Sequence, residues 1–311
     1  SIYMLSLAAS AAPLLAKASP SRYLLFTTQR SGSTWVCDVL HRQNGIDCGV
    51  ANPQHETSEH YPSHISEMMI EYSYMKHSLV NGFDYSTITW DKWRADCEAA
   101  FARLEREAAD DAVGVGFKLM YDQVPPRLES AFVSWLAQAN VTVVHLVREA
   151  TALKVASSFQ TTSGAMHSRN ATAAAEQQKS TPLLSVPFAT FKKKVDASIA
   201  IAQRWSSGLR YAVGVRYYYV SYESMLGPAA ENYLRSVIAF VISSNVDVDL
   251  RRVSMESELH SLHKISCCHR LAPSLYDKMR SSFLPSSPLL QACSMLDTLA
   301  NCDGHNTTIP K

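Results

Sequence analysis

The sequence predicts an α/β fold in which a central parallel sheet carries helices on both faces. Four short apolar runs have the length and boundaries of buried strands, and amphipathic patterns with helical spacing lie between them. A strand followed by a helix, repeated along the chain, is typical of a parallel sheet covered on both sides. With 311 residues, of which 47% are hydrophobic and 18% charged, the chain can bury a large core. Its net charge of +1 favours neither disorder nor general binding to nucleic acid, so any anion site is expected to be local.

The individual elements follow from the hydrophobic spacing. The predicted strands cover residues 23–28, 113–120, 141–147 and 212–222. The predicted helices cover residues 34–44, 91–108, 126–139, 151–160, 188–209 and 228–243. Pro126 and Pro228 suit a first helical turn, because the N–H group that proline lacks would have no helical partner there.

Two long segments, about 45–90 and 161–187, interrupt the alternation of strands and helices. Segments of this length inside a domain are usually functional, so we expect them to form a ligand pocket and its lid. The chain from 21 to 311 is predicted to be one domain that contains both. Residues 1–20, uncharged from Ile2 to Ala16, are either the remnant of a signal or anchor segment or a helix packed on that domain.

The seven cysteines do not have the spacing of a metal site, because no C-x-x-C pair occurs. They stand at positions 37, 48, 97, 267, 268, 293 and 302. The last four lie in a Ser/Pro-rich tail, which predicts a disulfide-stapled tail in an oxidising compartment. Cys37 and Cys97 fall within helical patterns and are predicted to be buried thiols.

The strongest local pattern is the run 23–35, in which a predicted strand passes through a short polar turn into a helix. Gly32 lets the backbone come close to an anion, and the free N–H groups of the helix that follows would point towards it. Ser33 and Thr34 add hydroxyl donors, and Arg30 adds positive charge. Serine and threonine also begin helices without any ligand, but the arginine and the buried strand favour an anion site. The run has one glycine and no lysine, so a Walker A loop with a magnesium site is disfavoured.

The motif Gln-Arg-Ser-Gly-Ser-Thr-Trp at 29–35 resembles the 5′-phosphosulfate-binding loop of sulfotransferases that use 3′-phosphoadenosine 5′-phosphosulfate (PAPS). It is most similar to the branch of bacterial trehalose sulfotransferase and related carbohydrate sulfotransferases. The resemblance implies a P-loop-like nucleotide-binding fold of the sulfotransferase type, with PAPS as the cofactor. The cofactor contacts that it implies come from Arg30, Ser31, Gly32, Ser33, Thr34 and Trp35.

A second motif follows the predicted strand 141–147. The resemblance assigns the 3′-phosphate of the cofactor to Arg148 at the end of this strand and to Ser157 on the next helix. The nine-residue step between the two is similar to that of the carbohydrate branch. By itself an arginine after a strand is more often a surface ion pair, and Glu149 offers a partner. Two phosphate motifs at the carboxyl ends of parallel strands favour a nucleotide, because open α/β sheets bind ligands there.

Other parts of the chain resemble the same family. Lys118, on the middle strand, is expected to reach the bridging oxygen or the sulfuryl oxygens, the alternative being a solvated lysine at a strand end. The pair Tyr222 and Glu223 is expected to tie the last strand to its neighbours. Lys264 and Arg270 are candidates for the 3′-phosphate or the adenine.

The catalytic base is predicted by elimination within the family pattern. Met120 stands where cytosolic relatives have a histidine, so the base must come from elsewhere. The trehalose-type branch uses a glutamate shortly after the first helix, which favours Glu56, with His55 and Glu59 as alternatives. A carboxylate shielded from water can accept a hydroxyl proton near neutral pH. Arg30 and Lys118 complete the predicted catalytic set.

The function implied by this resemblance is the transfer of a sulfuryl group from PAPS to a hydroxyl of a carbohydrate or small-molecule acceptor, giving PAP and a sulfate ester. No metal is expected to be needed, because neither a Walker lysine nor a Cys/His cluster occurs. The alternatives are a P-loop-like small-molecule kinase and a non-catalytic protein that binds anions or glycans on the same scaffold.

The expected setting is the Golgi lumen, as a type II membrane protein anchored upstream, with the cytoplasm as the alternative. The apolar N-terminus, the tail cysteines and the sequons at Asn140, Asn170 and Asn306 favour the first. Nucleic acid is not an expected partner, and a homodimer is compatible with the sequence.

Overall fold

The computed structural model describes residues 19–28, 31–41, 45–48, 88–108, 112–160, 185–225, 229–242, 275 and 278. Short 3₁₀ turns at Tyr121–Gln123 and Pro126–Leu128 lead from the third strand into the third helix of this part of the chain. The strands and helices, in chain order, are β1 (Ser21–Thr27), α1 (Ser33–His41), β2 (Ile46–Cys48), α2 (Trp90–Glu107), β3 (Gly114–Met120), α3 (Glu129–Gln138), β4 (Thr142–Val147), α4 (Thr151–Gln160), α5 (Phe188–Arg210), β5 (Arg216–Ser221) and α6 (Ala230–Ile242).

The five strands form one parallel sheet in the order β2-β3-β1-β4-β5. Strand β1 lies between β3 and β4, with Thr27 beside Met120 and Phe26 beside His145. The chain leaves β1 towards one edge of the sheet and leaves β3 towards the other. Such a change of direction opens a crevice at the carboxyl ends of the strands, where α/β sheets bind ligands.

Side chains of β1 alternate between two hydrophobic cores, one on each face of the sheet. Leu24 and Phe26 belong to the core under α2, α3 and α5, and the Phe26 ring meets the edge of Trp205 with ring centroids 4.9 Å apart. Tyr23 and Leu25 belong to the core under α1 and α6. The prediction of a parallel sheet with helices on both faces is confirmed.

The predicted elements are confirmed with shifts at their ends. The helix 151–160 has the predicted bounds, whereas the last strand begins at Arg216 instead of at residue 212. Residues 211–214 form a turn with Gly214 at φ +80°, and Tyr211 and Val213 are exposed there. Pro126 begins a 3₁₀ turn, and the helix itself starts at Glu129.

Strand β2 was not predicted and lies at the start of the segment 45–90. Residues 1–18, 49–87 and 161–184 of the predicted terminal segment and insertions lie outside the described residues, as does Pro228. The division of the chain into a terminal segment and one domain therefore stays a prediction. No helix in the described ranges is both long enough and apolar enough to cross a membrane.

The prediction that Cys37 is a buried thiol is wrong, because Cys37 forms a disulfide with Cys48. Helix α1 ends shortly before β2, and the return of the chain brings the two Cα atoms to 5.3 Å, within the range of a disulfide. Cys97 is a free, fully buried thiol as predicted, and burial raises its pKa well above the usual value. The four tail cysteines lie outside the described residues.

Candidate functional site

The turn between β1 and α1 is attached to the neighbouring strand. The Thr27 hydroxyl donates to the carbonyl oxygen of Leu146 in β4 at 2.7 Å, and it lies 2.6 Å from the Ser31 hydroxyl. Ser31 and Ser33 are buried, and α1 begins with the N–H of Val36 donating to the Gly32 carbonyl. This is the strand, turn and helix that the sequence predicted, and it places a helix N-terminus at the carboxyl edge of the sheet.

Gly32 has two reasons to be glycine. Its φ of +86° lies in the left-handed region, which side chains rarely adopt. A Cβ atom on Gly32 would also lie 2.2 Å from Cε2 of Tyr222, because the tyrosine ring packs directly against the turn. The sequence had predicted a close approach of an anion at Gly32, and the structure adds this close approach of Tyr222.

Tyr222 also contacts Arg148, so it lies between the two predicted phosphate motifs. The guanidinium carbon of Arg148 is 5.4 Å from the centroid of the Tyr222 ring, and Arg148 is 5% exposed. The alternative of a surface ion pair with Glu149 does not fit this burial, and the Glu149 carboxylate instead accepts a hydrogen bond from the Tyr219 hydroxyl at 3.1 Å. The turn at Gly32 and the arginine after β4 therefore pack against the same tyrosine ring.

The loop that carries Arg148 is held by Glu223. Its carboxylate accepts hydrogen bonds from the backbone N–H groups of Glu149 at 3.0 Å and Ala150 at 3.1 Å. The N–H of Tyr222 donates to the Val147 carbonyl at 2.8 Å, which extends the pairing of β5 with β4. A carboxylate at the N-terminus of α4 is also favoured by the helix dipole. The predicted structural role of the Tyr222 and Glu223 pair is confirmed.

Lys118 lies in the middle of the sheet and is 1% exposed, so the alternative of a solvated lysine at a strand end is wrong. It pairs with Leu25 of β1, two residues before β3 ends at Met120. The alternation of side chains places it on the face of the sheet that α1 covers. Its predicted contact with the transferred group stays a prediction.

Several predicted site residues fall outside what the structure describes. Arg30, His55, Glu56, Glu59, Lys264 and Arg270 lie outside the described residues. Thr34, Trp35 and Ser157 have described backbone positions, the first two on α1 and the third on α4, but their side chains are not among those described. The structure therefore brings together Ser31, Gly32, Ser33 and Arg148, and the assignment of the base stays a prediction.

Sequence reasoning missed one titratable residue beside this site. Lys154 lies on α4, six residues after Arg148, and is 6% exposed. Burial, and secondly the positive charge of Arg148, lower the pKa of its ammonium group to about 8. The available signal was a lysine among the buried residues Ala152, Val155 and Ala156 of the helix that follows Arg148.

A second buried polar cluster lies under the opposite face of the sheet. His145 of β4 hydrogen-bonds through Nε2 with the Tyr121 hydroxyl and through Nδ1 with the Tyr217 hydroxyl, the latter at 2.8 Å. Burial lowers the pKa of His145 to about 3, so the imidazole is neutral at physiological pH. His145 pairs with Phe26 of β1, so it lies in the core under α2, α3 and α5, on the opposite face of the sheet from α1 and the predicted anion site.

Within the described part of the chain, no group of three or more His, Cys, Asp or Glu side chains could hold a metal ion. The buried lysine and arginine side chains in this part of the chain are Lys118, Arg148 and Lys154. Metal-independent activity stays a prediction.

No family model and no curated protein matches the chain. Three solved structures that resemble it are sulfotransferases. The sulfotransferase from Alicyclobacillus acidocaldarius is 10% identical with a TM-score of 0.39, over 91% of this chain and 96% of that one. The sulfotransferase domain from the curacin biosynthetic pathway is 14% identical with a TM-score of 0.35, over 90% and 98% of the two chains. The sulfotransferase domain from the Synechococcus PCC 7002 olefin synthase is 16% identical with a TM-score of 0.33, over 91% and 95%. At these identities and TM-scores the resemblance says nothing about the function of this chain.

Proposed function

We propose that the chain is a sulfotransferase that moves the sulfuryl group of PAPS onto a hydroxyl of an acceptor. The observation that carries the proposal is the packing of Tyr222 between the Gly32 turn and the buried Arg148. A helix N-terminus and a guanidinium group, two kinds of group that can bind anions, thereby lie near each other at the ends of β1 and β4. This arrangement suits a nucleotide with phosphate groups at two separate positions, as PAPS has at its 5′ and 3′ ends.

Each phosphate group of such a ligand would be bound by its own set of residues. The N-terminus of α1, with Ser33 and Arg30, would hold the 5′-phosphate, and Arg148 with Ser157 would hold the 3′-phosphate. A chain with a net charge of +1 has to concentrate its basic residues locally to hold several negative charges. PAPS, when bound, supplies the sulfuryl group.

In the proposed reaction, the acceptor oxygen forms a bond to sulfur while the bond from sulfur to the 5′-phosphate oxygen breaks. Arg30 and Lys118 stabilise the charge that develops on the sulfuryl and leaving oxygens. Glu56 takes the proton from the acceptor hydroxyl, and the products are PAP and a sulfate ester. The buried position of Lys118 supports its part in this scheme, because charge interactions are stronger away from water.

Turnover of labelled PAPS with a panel of saccharide and small alcohol acceptors tests this proposal against its rivals. We expect the labelled sulfuryl group to move from PAPS to an acceptor in excess EDTA. Glu56→Gln should lower turnover by about two to four orders of magnitude and leave PAP affinity unchanged. Glu59→Gln is the matched control and should be close to wild type. Transfer from ATP that depends on magnesium would favour the kinase, and PAP binding without turnover of PAPS would favour the non-catalytic protein.

We further propose a carbohydrate acceptor and a Golgi-lumen location. The Cys37–Cys48 disulfide supports an oxidising compartment, since such bonds rarely persist in the cytosol. Thiol alkylation followed by mass spectrometry on protein taken directly from cells, and glycosidase treatment of the sequon at Asn306, test the location. Reduced Cys37 and an unmodified Asn306 would favour the cytoplasm.

A further inference from the structure

Lys154 is buried beside another cation, which is an unfavourable arrangement for a folded protein without a ligand. It lies on α4 at 6% exposure, among the buried residues Ala152, Val155 and Ala156. No described residue forms an ion pair or a side-chain hydrogen bond with its ammonium group, and Arg148 is the described charged group whose field reaches it. Burying an ammonium group without a counter-charge is unfavourable, and a like charge nearby makes it more so.

The position of this lysine relates it to the proposed nucleotide site. Arg148 directly follows β4 and contacts Tyr222, and Lys154 lies in the first turn of α4 after it. The carboxylates of Glu149 and Glu223 have other described partners, because Glu149 accepts a hydrogen bond from the Tyr219 hydroxyl and Glu223 accepts from the N–H groups of Glu149 and Ala150. A dianionic group placed between the two cations would offset their repulsion and supply the Lys154 ammonium group with a counter-charge.

We propose that Lys154 is a further ligand-binding residue, which together with Arg148 holds the 3′-phosphate and makes the site selective for 3′-phosphorylated nucleotides. This inference rests on the proposed function, since it names a nucleotide for the same site. Lys154 is then retained at the expense of stability, because the energy lost by burying it in the free protein is recovered when the phosphate binds. If Lys154 had a structural role instead, it would stabilise the free protein, and replacing it would lower the stability.

The test compares Lys154→Met and Lys154→Arg in the full chain, by calorimetric titration with PAP and with adenosine 5′-phosphosulfate, which lacks the 3′-phosphate. We expect Lys154→Met to weaken PAP binding about tenfold or more, the usual effect of losing one charge-assisted contact. Affinity for adenosine 5′-phosphosulfate should change less than about twofold, and Lys154→Arg should keep most of the PAP affinity. Lys192→Met, which removes an exposed lysine paired with Asp196, is the matched control and should bind PAP as the wild type does.

Two further readouts distinguish ligand binding from a structural role. The melting temperature of Lys154→Met without ligand should equal or exceed that of the wild type, because the variant no longer buries an uncompensated charge. PAP binding near pH 8 should take up about half a proton in the wild type and less in Lys154→Met, since a bound phosphate restores full protonation of a lysine whose pKa is about 8. Repeating the titration in buffers of different ionisation enthalpy measures this uptake.

The outcomes separate this inference from the proposed function. If the wild type does not bind PAP, the proposed function is contradicted. The site at Lys154 is then tested by whether inorganic phosphate raises the melting temperature of the protein. Stabilisation by phosphate that is lost in Lys154→Met would support the anion site alone, and its absence in the wild type would contradict it. Where the wild type does bind PAP, Lys154→Met could weaken the binding of PAP and of adenosine 5′-phosphosulfate equally, or change the binding of neither. In both cases the assignment of Lys154 to the 3′-phosphate is wrong.

Discussion

Replacing Gly32 with alanine should destabilise the protein by about 2–4 kcal/mol, although the change adds a single methyl group. The backbone conformation, with φ at +86°, costs a non-glycine residue roughly 1–2 kcal/mol. The new Cβ would lie 2.2 Å from Cε2 and 2.4 Å from Cδ2 of Tyr222, so the buried ring has to move. That movement also disturbs the contact of the ring with Arg148, which is worth about 0.5–1 kcal/mol.

Denaturation in urea measures this loss, and Gly208→Ala is the matched control. A Cβ at Gly208 in α5 would meet no atom within 4 Å, so that variant should be unchanged or up to about 1 kcal/mol more stable. In the double variant with Tyr222→Ala the steric part of the loss should disappear, which makes the two substitutions non-additive by about 1 kcal/mol or more. A Gly32→Ala protein as stable as the wild type, or additivity with Tyr222→Ala, would refute the packing argument.

Three further predictions concern the surroundings of the site. As the pH falls below 6.5 towards 3, His145 should cost the wild type about 1.4 kcal/mol of stability per pH unit, because the unfolded chain binds a proton that the folded imidazole, with its pKa of about 3, does not. His145→Gln should remove this loss. Urea denaturation of both proteins between pH 7 and 4.5 measures it, and an equal loss of stability in the two would contradict the prediction. Glu223→Gln should lower the free energy of unfolding by about 1.5–3 kcal/mol and weaken PAP binding severalfold, since an amide replaces a carboxylate that accepts two backbone hydrogen bonds. An unchanged free energy of unfolding would show that Glu223 does not anchor this loop. The double variant Cys37→Ser and Cys48→Ser should lose about 3 kcal/mol, as a chain-entropy model gives for cysteines 11 residues apart; a melting temperature equal to that of the oxidised wild type would count against it.

The long elements of the fold could be predicted because their hydrophobic spacing is set by burial on one or both faces. The four predicted strands and six predicted helices all occur within the described residues. Strand β2 could not be predicted, because three residues around Asp47 are too short to show a pattern. The last predicted strand was drawn too long, since Val213 belongs by type to a strand but lies exposed in a turn that Gly214 closes.

The predicted site depended on two local motifs, and the structure adds what brings them together. The sequence placed Gly32 and Arg148 at the ends of two strands, which follows from the topology of parallel sheets. The contact of Tyr222 with both depends on the three-dimensional position of β5, and no local pattern encodes it. Lys154 was missed for a related reason, because a lysine on a helix is usually solvated and its burial beside Arg148 is a tertiary property.

The disulfide was missed for the same kind of reason. Cys37 has the helical spacing of a buried residue, and that part of the prediction is confirmed. Its partner Cys48 lies on the strand that the sequence did not reveal, so the pairing could not be inferred from spacing. Pairing of cysteines depends on tertiary proximity, and helical periodicity alone does not report it.

The most direct test of the proposed PAPS site is to measure the equilibrium binding of PAP, and of ATP with magnesium, to three proteins. These are the wild type, Arg148→Ala and Arg204→Ala. We predict that the wild type binds PAP in EDTA at least about tenfold more tightly than it binds ATP with magnesium. Arg148→Ala should lose about 10- to 100-fold in PAP affinity, the equivalent of one charge-assisted contact. Arg204→Ala, which removes an exposed arginine paired with Glu129, should lose nothing measurable. Tighter binding of ATP with magnesium, or PAP affinity that does not depend on Arg148 in a folded variant, would contradict the account.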